Sequence, residues 1–176
     1  AVVVVPAGSP HKTLGDLIAA GKKQPSKLNY GSYAAAYRLC TEWLNQAAGM
    51  QTTLVNYKGA PQVTTDLVGG QIDYALVDTV AVVPLIQGGQ LRALAVTGDR
   101  RHPLLPDTPT LKETGLPSYG RTAWVGMAVR ADTPNAIARK LTTTMMTILA
   151  EPATKTFSEQ QGAFLLPYDD KQMATF

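Results

Sequence analysis

Residues 72–97, which read IDYALVDTVAVVPLIQGGQLRALAVT, carry the clearest signature of the fold. Ile72 to Val77 and Leu91 to Thr97 are almost wholly apolar. The segment between them, Thr79 to Gln87, has the length of a short helix that ends before Gly88-Gly89. Strands that are apolar on both faces are typical of a parallel sheet covered by helices on both sides. The stretch therefore predicts a strand, a crossover helix and a parallel strand.

The alternation of strand and helix continues on either side of this stretch. Ala1 to Val5 predicts a buried strand, and Thr13 with Asp16 forms a capping box before a helix that stops at Gly21. The other predicted elements are strands at Lys27 to Tyr30 and Thr53 to Asn56, a helix ending before Gly49, a helix from Pro61 to Val68, a strand from Thr122 to Val129, a long helix to Ala150, a helix from Pro152, a strand near Phe164 to Leu166 and a last helix from about Asp169. This order indicates an α/β fold with a mainly parallel sheet and helices on both faces.

The helix that ends before Gly49 has the clearest apolar periodicity in the chain. The side chains that recur at helical spacing, and that predict one buried face, are Ala36, Leu39, Cys40, Trp43, Leu44 and Ala47. On that face Cys40 is expected to be a buried structural thiol rather than a nucleophile.

Composition excludes several classes of protein. The chain has 176 residues, of which 45% are hydrophobic, so it can bury a sizeable core and is not disordered. The net charge of +3 is spread thinly, and the pairs Lys22-Lys23 and Arg100-Arg101 are too short for a nucleic-acid-binding stripe. No apolar run reaches the length of a membrane span, and a single cysteine excludes an intramolecular disulfide.

Nothing in the sequence favours catalysis or a cofactor. His11 and His102 have no neighbours at metal-ligand spacing, and nucleotide-binding, P-loop and nucleophile-elbow motifs are absent. Asp169-Asp170 is more typical of a helix start than of an acid/base pair. We therefore expect no enzyme, no catalytic residue, no metal and no cofactor.

Three predicted strand-to-helix junctions carry residues suited to binding an anion. Asn29 to Ala34 offers small residues beside backbone amides, Asn56 to Ala60 offers a lysine and a glycine turn, and Val77 to Thr79 offers a carboxylate and a hydroxyl. Ligands of open α/β sheets bind at the carboxyl ends of the strands, where helix N-termini present free N–H groups. Each junction also has a structural interpretation, with Ser32 and Asp78 as helix caps and the lysine as a solvated turn residue.

Several longer motifs occur in order along the chain. They are residues 27–32 (KLNYGS), 57–59 (YKG), 66–73 (DLVGGQID), 89–97 (GQLRALAVT), 105–110 (LPDTPT) and 113–117 (ETGLP). With these motifs, the chain resembles the solute receptors of tripartite tricarboxylate transporters, the Bug or TctC-like family. The resemblance implies a type II periplasmic-binding-protein fold, in which two α/β lobes hinge around a small ligand, usually an organic carboxylate. It also implies a soluble periplasmic protein that hands this ligand to the membrane permease subunits of the transporter.

The resemblance further implies that the chain is a fragment. The chain starts with neither Met nor a basic segment, which indicates that a signal peptide was removed or that a longer chain was cut. Family members begin with a lobe whose Gly-rich loop holds one ligand carboxylate, and this lobe is expected to be missing here. Residues 1–125 would then be the second lobe and residues 126–176 the segment that returns to the first, with Val2 to Val5 and Trp124 to Val129 as interlobe crossovers. The apolar face of the helix from Asn135 to Ala150 would lack its cover, which predicts a concentration-dependent dimer.

The family pattern matches the same junctions residue by residue. Tyr30-Gly31-Ser32 matches the loop before the ligand-facing helix, and Asp78 matches an acidic position near the ligand. Where the family commonly has a Gly-Thr-Ser-Ser-like stretch, this chain has the shorter residues 33–37 (YAAAY), so Tyr33 or Tyr37 is left to supply a phenol or to stack on an aromatic ligand. A di- or tricarboxylate is the expected ligand, and an aromatic acid is the alternative. The expected binding residues are Tyr30, Gly31, Ser32, Tyr33, Ala34, Ala35, Ala36, Tyr57, Lys58, Gly59, Asp78 and Thr79.

A ligand-sensing effector domain of a cytosolic transcription regulator is the alternative function, because such domains share the two-lobed fold. The sequence contains no helix-turn-helix, and the motifs belong to the transport family. An upstream signal peptide would distinguish the two.

Overall fold

The computed structural model of the protein describes residues 1–116, 126–160 and 163–175. The chain divides into two compact units, Ala1–Ala123 and Trp124–Phe176. Within the described residues, the first unit contains the β-sheet and the second contains only helices and irregular segments.

The first unit alternates strands and helices, as the sequence predicts. Its elements are β1 (Val2–Pro6), α1 (Leu14–Lys23), β2 (Asn29–Ser32), α2 (Ala35–Ala48), β3 (Thr53–Asn56), α3 (Ala60–Val68), β4 (Tyr74–Val77), α4 (Thr79–Gln87) and β5 (Leu91–Val96). The predicted bounds of β3 and α4 are confirmed, and so is the capping box of Thr13 and Asp16 before α1. β2 lies further along the chain than the predicted strand from Lys27 to Tyr30.

The strands form one sheet in the order β3-β2-β4-β1-β5. β2 pairs in parallel with β3 and β4, whereas β1 pairs antiparallel with both β4 and β5. β4 and β5 run in the same direction, as residues 72–97 predict, but β1 lies between them and runs against them. The α/β class is therefore confirmed, and the sheet is mixed, because among the described strands β1 runs antiparallel to both of its neighbours.

The core consists of two apolar clusters, one on each face of the sheet. Val3 and Val5 belong to the first cluster, and Val2 and Val4 belong to the second, so β1 is buried on both faces as predicted. Helices α1 and α2 cover the first cluster with Leu14, Leu17, Leu44 and Ala48, and helices α3 and α4 cover the second with Val63, Leu67, Val82 and Val83. Helices therefore lie on both faces.

The buried face of α2 differs from the predicted one. Leu39 is 56% exposed and Trp43 is 38% exposed, and Ala36 and Ala47 are exposed as well, while Cys40 is only partly buried. The residues that α2 buries are Thr41, Leu44, Asn45 and Ala48, so the prediction is confirmed for Leu44 alone. The prediction was wrong because it counted only apolar residues, whereas two of the buried residues are polar and hydrogen-bonded.

The second unit contains α5 (Asn135–Ala150), α6 (Pro152–Gln160) and α7 (Asp170–Thr175). The predicted strand near Phe164 to Leu166 is wrong, because these residues have no regular secondary structure. Of the predicted strand from Thr122 to Val129, residues 122–125 lie outside the described residues and residues 126–129 are irregular. α5 has no buried residue, and Ile137, Leu141 and Ile148 are exposed.

No helix in residues 1–116, 126–160 and 163–175 combines the length and the apolar character needed to cross a bilayer.

Candidate functional site

Three helices begin where the parallel strands end. We call this side of the sheet the carboxyl edge, and it consists of the residues that follow β2, β3 and β4. In the parallel pairing, Ser32 lies opposite Asn56 and Gly31 lies opposite Ala75, so the three strands end side by side. α2, α3 and α4 start directly after them. Since neighbouring strands are about 4.8 Å apart, the edge from β3 to β4 spans about 10 Å. The fold thus brings the three predicted junctions together.

The start of α2 exposes backbone N–H groups. Its N-cap residue is Ala34, and no described side chain caps its first turn. Ser32 does not cap the helix, because its hydroxyl donates instead to the carbonyl oxygen of Ala34 at 3.3 Å. Ala34, Ala35 and Ala36 are exposed. The helix dipole and these amides favour a negative charge at this position.

The start of α3 adds a cation. Gly59 is the N-cap residue and receives no cap from a described side chain, while the backbone N–H of Lys58 donates to Gln62 Oε1 at 3.1 Å. The side chain of Lys58 is exposed, and among the described residues it forms no ion pair. The ammonium group is therefore available at the carboxyl edge.

Tyr57 has a structural role beside this cation. Its hydroxyl donates to Asp66 Oδ2 at 2.7 Å, which ties the β3–α3 loop to α3 itself. Burial and the Asp66 carboxylate raise the pKa of Tyr57 to about 12. The Tyr57 hydroxyl is thus already engaged within the fold.

The two glycines among the predicted site residues differ in how much space surrounds them. A methyl group on Gly31 would lie 2.5 Å from Ile72 Cδ1 and 3.1 Å from Val63 Cγ1, so a larger residue there would force these side chains to shift. At Gly59 the φ angle is −171°, which any residue adopts, and the nearest atom to an added methyl group is Pro61 Cδ at 3.6 Å. Neither strain nor space inside the fold requires glycine at position 59.

The start of α4 carries a carboxylate. Asp78 is the N-cap residue of α4, and its Oδ1 accepts from the N–H of Val80 at 3.4 Å, so the helix-cap interpretation is confirmed. Asp78 is nevertheless exposed, whereas Thr79 is only 5% exposed. The carboxylate therefore faces the carboxyl edge at the end opposite to Lys58.

Two aromatic side chains follow β2, the strand that lies between β3 and β4 in the sheet. The ring centroids of Tyr33 and Tyr37 are 4.9 Å apart, and their planes are tilted by 43°. Tyr33 packs against the second apolar cluster and Tyr37 against the first, and both are partly exposed. Burial, the Tyr33 hydroxyl and the charge of Asp78 raise the pKa of Tyr37 well above its ordinary value.

A buried hydrogen-bond network holds α2 in place behind the site. Asn45 Nδ2 donates to Thr52 Oγ1 at 2.8 Å, the Tyr74 hydroxyl donates to Asn45 Oδ1 at 2.8 Å, and the Thr52 and Tyr74 hydroxyls are 2.9 Å apart. The hydroxyl of the fully buried Tyr30 donates to the Glu42 carboxylate. Tyr30, a predicted binding residue, thus positions α2. The sequence prediction missed the network because its members are far apart in the chain.

The opposite edge of the sheet contains a groove of about 520 Å³. It is lined mainly by the loop after β1, by Val68–Gly70 and by Gln90. Asp73 contributes a carboxylate, but its Oδ2 already accepts from the backbone N–H of Asn29 at 2.6 Å. In the described part of the chain, no three His, Cys, Asp or Glu side chains are grouped to hold a metal ion. The charged and N–H groups suited to a ligand are therefore those of the carboxyl edge.

Comparison with known proteins gives a consistent result. The model of the tripartite tricarboxylate transporter family receptor, TctC, matches residues 1–176. A UPF0065 protein of Agrobacterium vitis, from the TAR-I ttuE-ttuC' intergenic region, is 38% identical over 143 residues, which are 80% of this chain and 41% of that protein.

Two solved structures from Rhodopseudomonas palustris are similar in fold. Rpa4515 with adipate has a TM-score of 0.92 at 29% identity, over 99% of this chain and 59% of that one. MatC with bound malate has a TM-score of 0.87 at 26% identity, over 97% of this chain and 58% of that one. The chain spans about half the length of the proteins that it matches. The predicted periplasmic-binding-protein fold is confirmed, and the chain belongs to the TctC family of tripartite tricarboxylate transporter receptors.

Proposed function

We propose that the carboxyl edge is the ligand-binding surface of one lobe of a solute receptor that binds a small organic carboxylate. The observation that carries this proposal is the convergence of two helix N-termini without a side-chain cap, those of α2 and α3, and the Lys58 ammonium on one edge of the sheet. Helix N-termini and an exposed cation are complementary to a carboxylate. Two related proteins of the same fold have adipate and malate bound.

Each part of the edge has a role in this proposal. The amides of residues 35 and 36 and of residue 60 donate to carboxylate oxygens, and Lys58 supplies the opposite charge. Asp78 accepts a hydrogen bond from a hydroxyl or amino group of the ligand, because an exposed carboxylate repels a second anion but attracts a donor. The ligand is bound and released without a bond being made or broken.

The protein to which this chain belongs is proposed to act outside the cytoplasm, in the periplasm. There it delivers its ligand to the membrane permease subunits of a tripartite tricarboxylate transporter, as the name of its family implies. Closure of two lobes around the ligand is a hinge motion that the ligand stabilises by contacting both lobes.

Residues 1–125 are proposed to form the second lobe, and residues 126–176 to pack on the first. The second unit supports this assignment, because its helix α5 buries no residue and exposes Ile137, Leu141 and Ile148. An apolar face of this kind is normally covered. The chain on its own is therefore expected to dimerise with increasing concentration, and a monomer at all concentrations in analytical ultracentrifugation would contradict this assignment.

Amide chemical shifts of the ¹⁵N-labelled chain, followed during titration with succinate, test the binding proposal. Shifts are expected at residues 34–37 and 58–60, with an affinity in the millimolar range, about −4 kcal/mol, and not at Asp78, because succinate has no hydroxyl or amino group to donate to it. The variant Lys58→Gln should weaken binding by about two- to fivefold, the range of an exposed ion pair.

Lys27 is the matched control for this titration. It is also exposed, but it precedes β2 and so lies at the opposite end of the sheet. Lys27→Gln is expected to leave binding unchanged. Equal weakening in both lysine variants, shifts scattered over the whole surface, or no shift at tens of millimolar succinate would each contradict the proposal.

A further inference from the structure

The start of α2 has an unusual combination of side chains for a surface that contacts a small anion. Residues 34–36 are all alanine, so backbone N–H groups are the donors that this segment offers to a ligand. The residues on either side of the alanines are Tyr33 and Tyr37, and their rings contact each other with a centroid distance of 4.9 Å. The segment therefore presents an aromatic surface rather than hydroxyl groups on short side chains.

This aromatic pair occupies the middle of the carboxyl edge. Tyr33 and Tyr37 follow β2, which lies between β3 and β4 in the sheet. Lys58 follows β3 on one side and Asp78 follows β4 on the other. Along the edge the order is thus a cation, two rings that are each partly exposed, and a carboxylate. A ligand that lies along this edge has its charged group near one end and its body over the rings.

We infer that Tyr33 and Tyr37 determine specificity, and that they select a carboxylate with an aromatic body over an aliphatic one. The inference rests on the proposed function, because it concerns the same site. An aromatic ring gains an offset or edge-to-face contact with a tyrosine ring beyond simple burial, and an aliphatic body of equal size does not. A hydroxyl group on the far side of such a ring is placed to donate to Asp78.

A purely structural role for the pair is the competing explanation. Tyr33 precedes the N-cap residue Ala34, and Tyr37 lies in the first turn of α2, so their contact resembles the apolar staples that stabilise helix starts. A staple requires apolar contact but not an aromatic ring. The two roles therefore separate when the ring is replaced by an aliphatic side chain.

The wild-type chain tests the inference with a matched pair of acids. 4-Hydroxybenzoate and trans-4-hydroxycyclohexanecarboxylate both have a carboxylate and a hydroxyl at opposite ends of a six-membered ring, and only the first is aromatic. In amide-shift titrations, 4-hydroxybenzoate is expected to bind about three- to tenfold more tightly, the gain of one good aromatic contact. It should also produce ring-current shifts of the Tyr33 and Tyr37 ring protons.

Tyr33→Leu is the decisive variant, since leucine keeps an apolar contact with Tyr37. The ratio of the two affinities should fall to about one, while the affinity for the cyclohexane acid changes by less than about twofold. Tyr168→Leu, in the second unit, is the control and should leave the ratio unchanged. Equal affinities in the wild-type chain, or a ratio that persists in Tyr33→Leu, would overturn the inference and leave the carboxylate site standing. If succinate binds and neither ring acid does, the inference is wrong and the carboxylate site stands; if none of the three acids binds, the proposed function is wrong as well.

Discussion

Replacing Gly31 with alanine tests whether packing at the carboxyl edge is as tight as the structure indicates. The new methyl group would lie 2.5 Å from Ile72 Cδ1, 3.1 Å from Val63 Cγ1 and 3.2 Å from Tyr57 Cε2. Overpacking of this kind typically costs about 1–3 kcal/mol. Replacing glycine with alanine also raises the free energy of unfolding by about 0.5–1 kcal/mol, because glycine loses more backbone entropy on folding. Taking the middle of each range, the expected net loss in the free energy of unfolding is about 1 kcal/mol.

A double-mutant cycle with Ile72→Val assigns this loss to its cause. Ile72→Val removes the Cδ1 atom that clashes, and alone it should cost about 0.5–1.5 kcal/mol because Ile72 is buried. In the double variant the methyl of Ala at position 31 occupies part of the vacated space. The double variant is therefore expected to be about 1 kcal/mol more stable than the sum of the single changes predicts.

Urea unfolding followed by circular dichroism measures all of these variants. Gly59→Ala is the control and should change the free energy of unfolding by less than about 0.5 kcal/mol, since neither φ nor space requires glycine there. If Gly31→Ala is as stable as the wild type, or if the two changes are simply additive, the contact between Gly31 and Ile72 does not limit packing and the reasoning is refuted.

Three further predictions follow from hydrogen bonds in the first unit. Asp78→Ala should lower the free energy of unfolding by only about 0.5–1 kcal/mol, because the cap bond to Val80 is long. Asp78→Asn should keep the cap, so equal urea midpoints for the two variants would contradict this prediction. Asn45→Ala should lower the free energy of unfolding by about 1–3 kcal/mol, because it leaves the hydroxyls of the buried Tyr74 and the partly buried Thr52 with fewer partners. A loss below that range in urea unfolding would show that the network is dispensable. The pKa of Asp16 lies below its ordinary value mainly because the backbone N–H of Thr13 donates to its carboxylate, with smaller contributions from the Thr13 hydroxyl and the backbone N–H of Lys12. The stability it contributes is thus present above the ordinary pKa and lost as the pH falls through the lowered one. Carboxyl NMR titration should show this pKa rising in Thr13→Ala, which removes the hydroxyl and keeps the backbone N–H; an unchanged pKa would exclude the Thr13 hydroxyl as a cause.

The elements that the sequence predicts well are those whose signals are local. β3 and α4 have the predicted bounds, since an apolar run between turn residues and a helix that ends before glycine depend only on neighbouring residues. The capping box at Thr13 is likewise a pattern within four positions. The predicted strand near Phe164 failed because short apolar runs occur equally in irregular segments.

The face of α2 shows where local patterns are insufficient. Leu39 and Trp43 have the spacing of a buried stripe, yet the helix turns Thr41 and Asn45 inward. Asn45 is stable there because Thr52 and Tyr74, from later parts of the chain, satisfy its amide group. A pattern of apolar residues within one helix does not show the hydrogen-bond partners that distant segments of the chain contribute.

The sequence by itself determined the family of the chain, the alternation of strands and helices, and the residues that stand at each strand-to-helix junction. Only the tertiary structure decided the direction of β1 and which junctions are neighbours, because an apolar strand has the same pattern in parallel and antiparallel pairs. The order β3-β2-β4 places Lys58, the Tyr33–Tyr37 pair and Asp78 along one edge. Strand order depends on how distant segments pack, and that is why residues separated along the chain form one site.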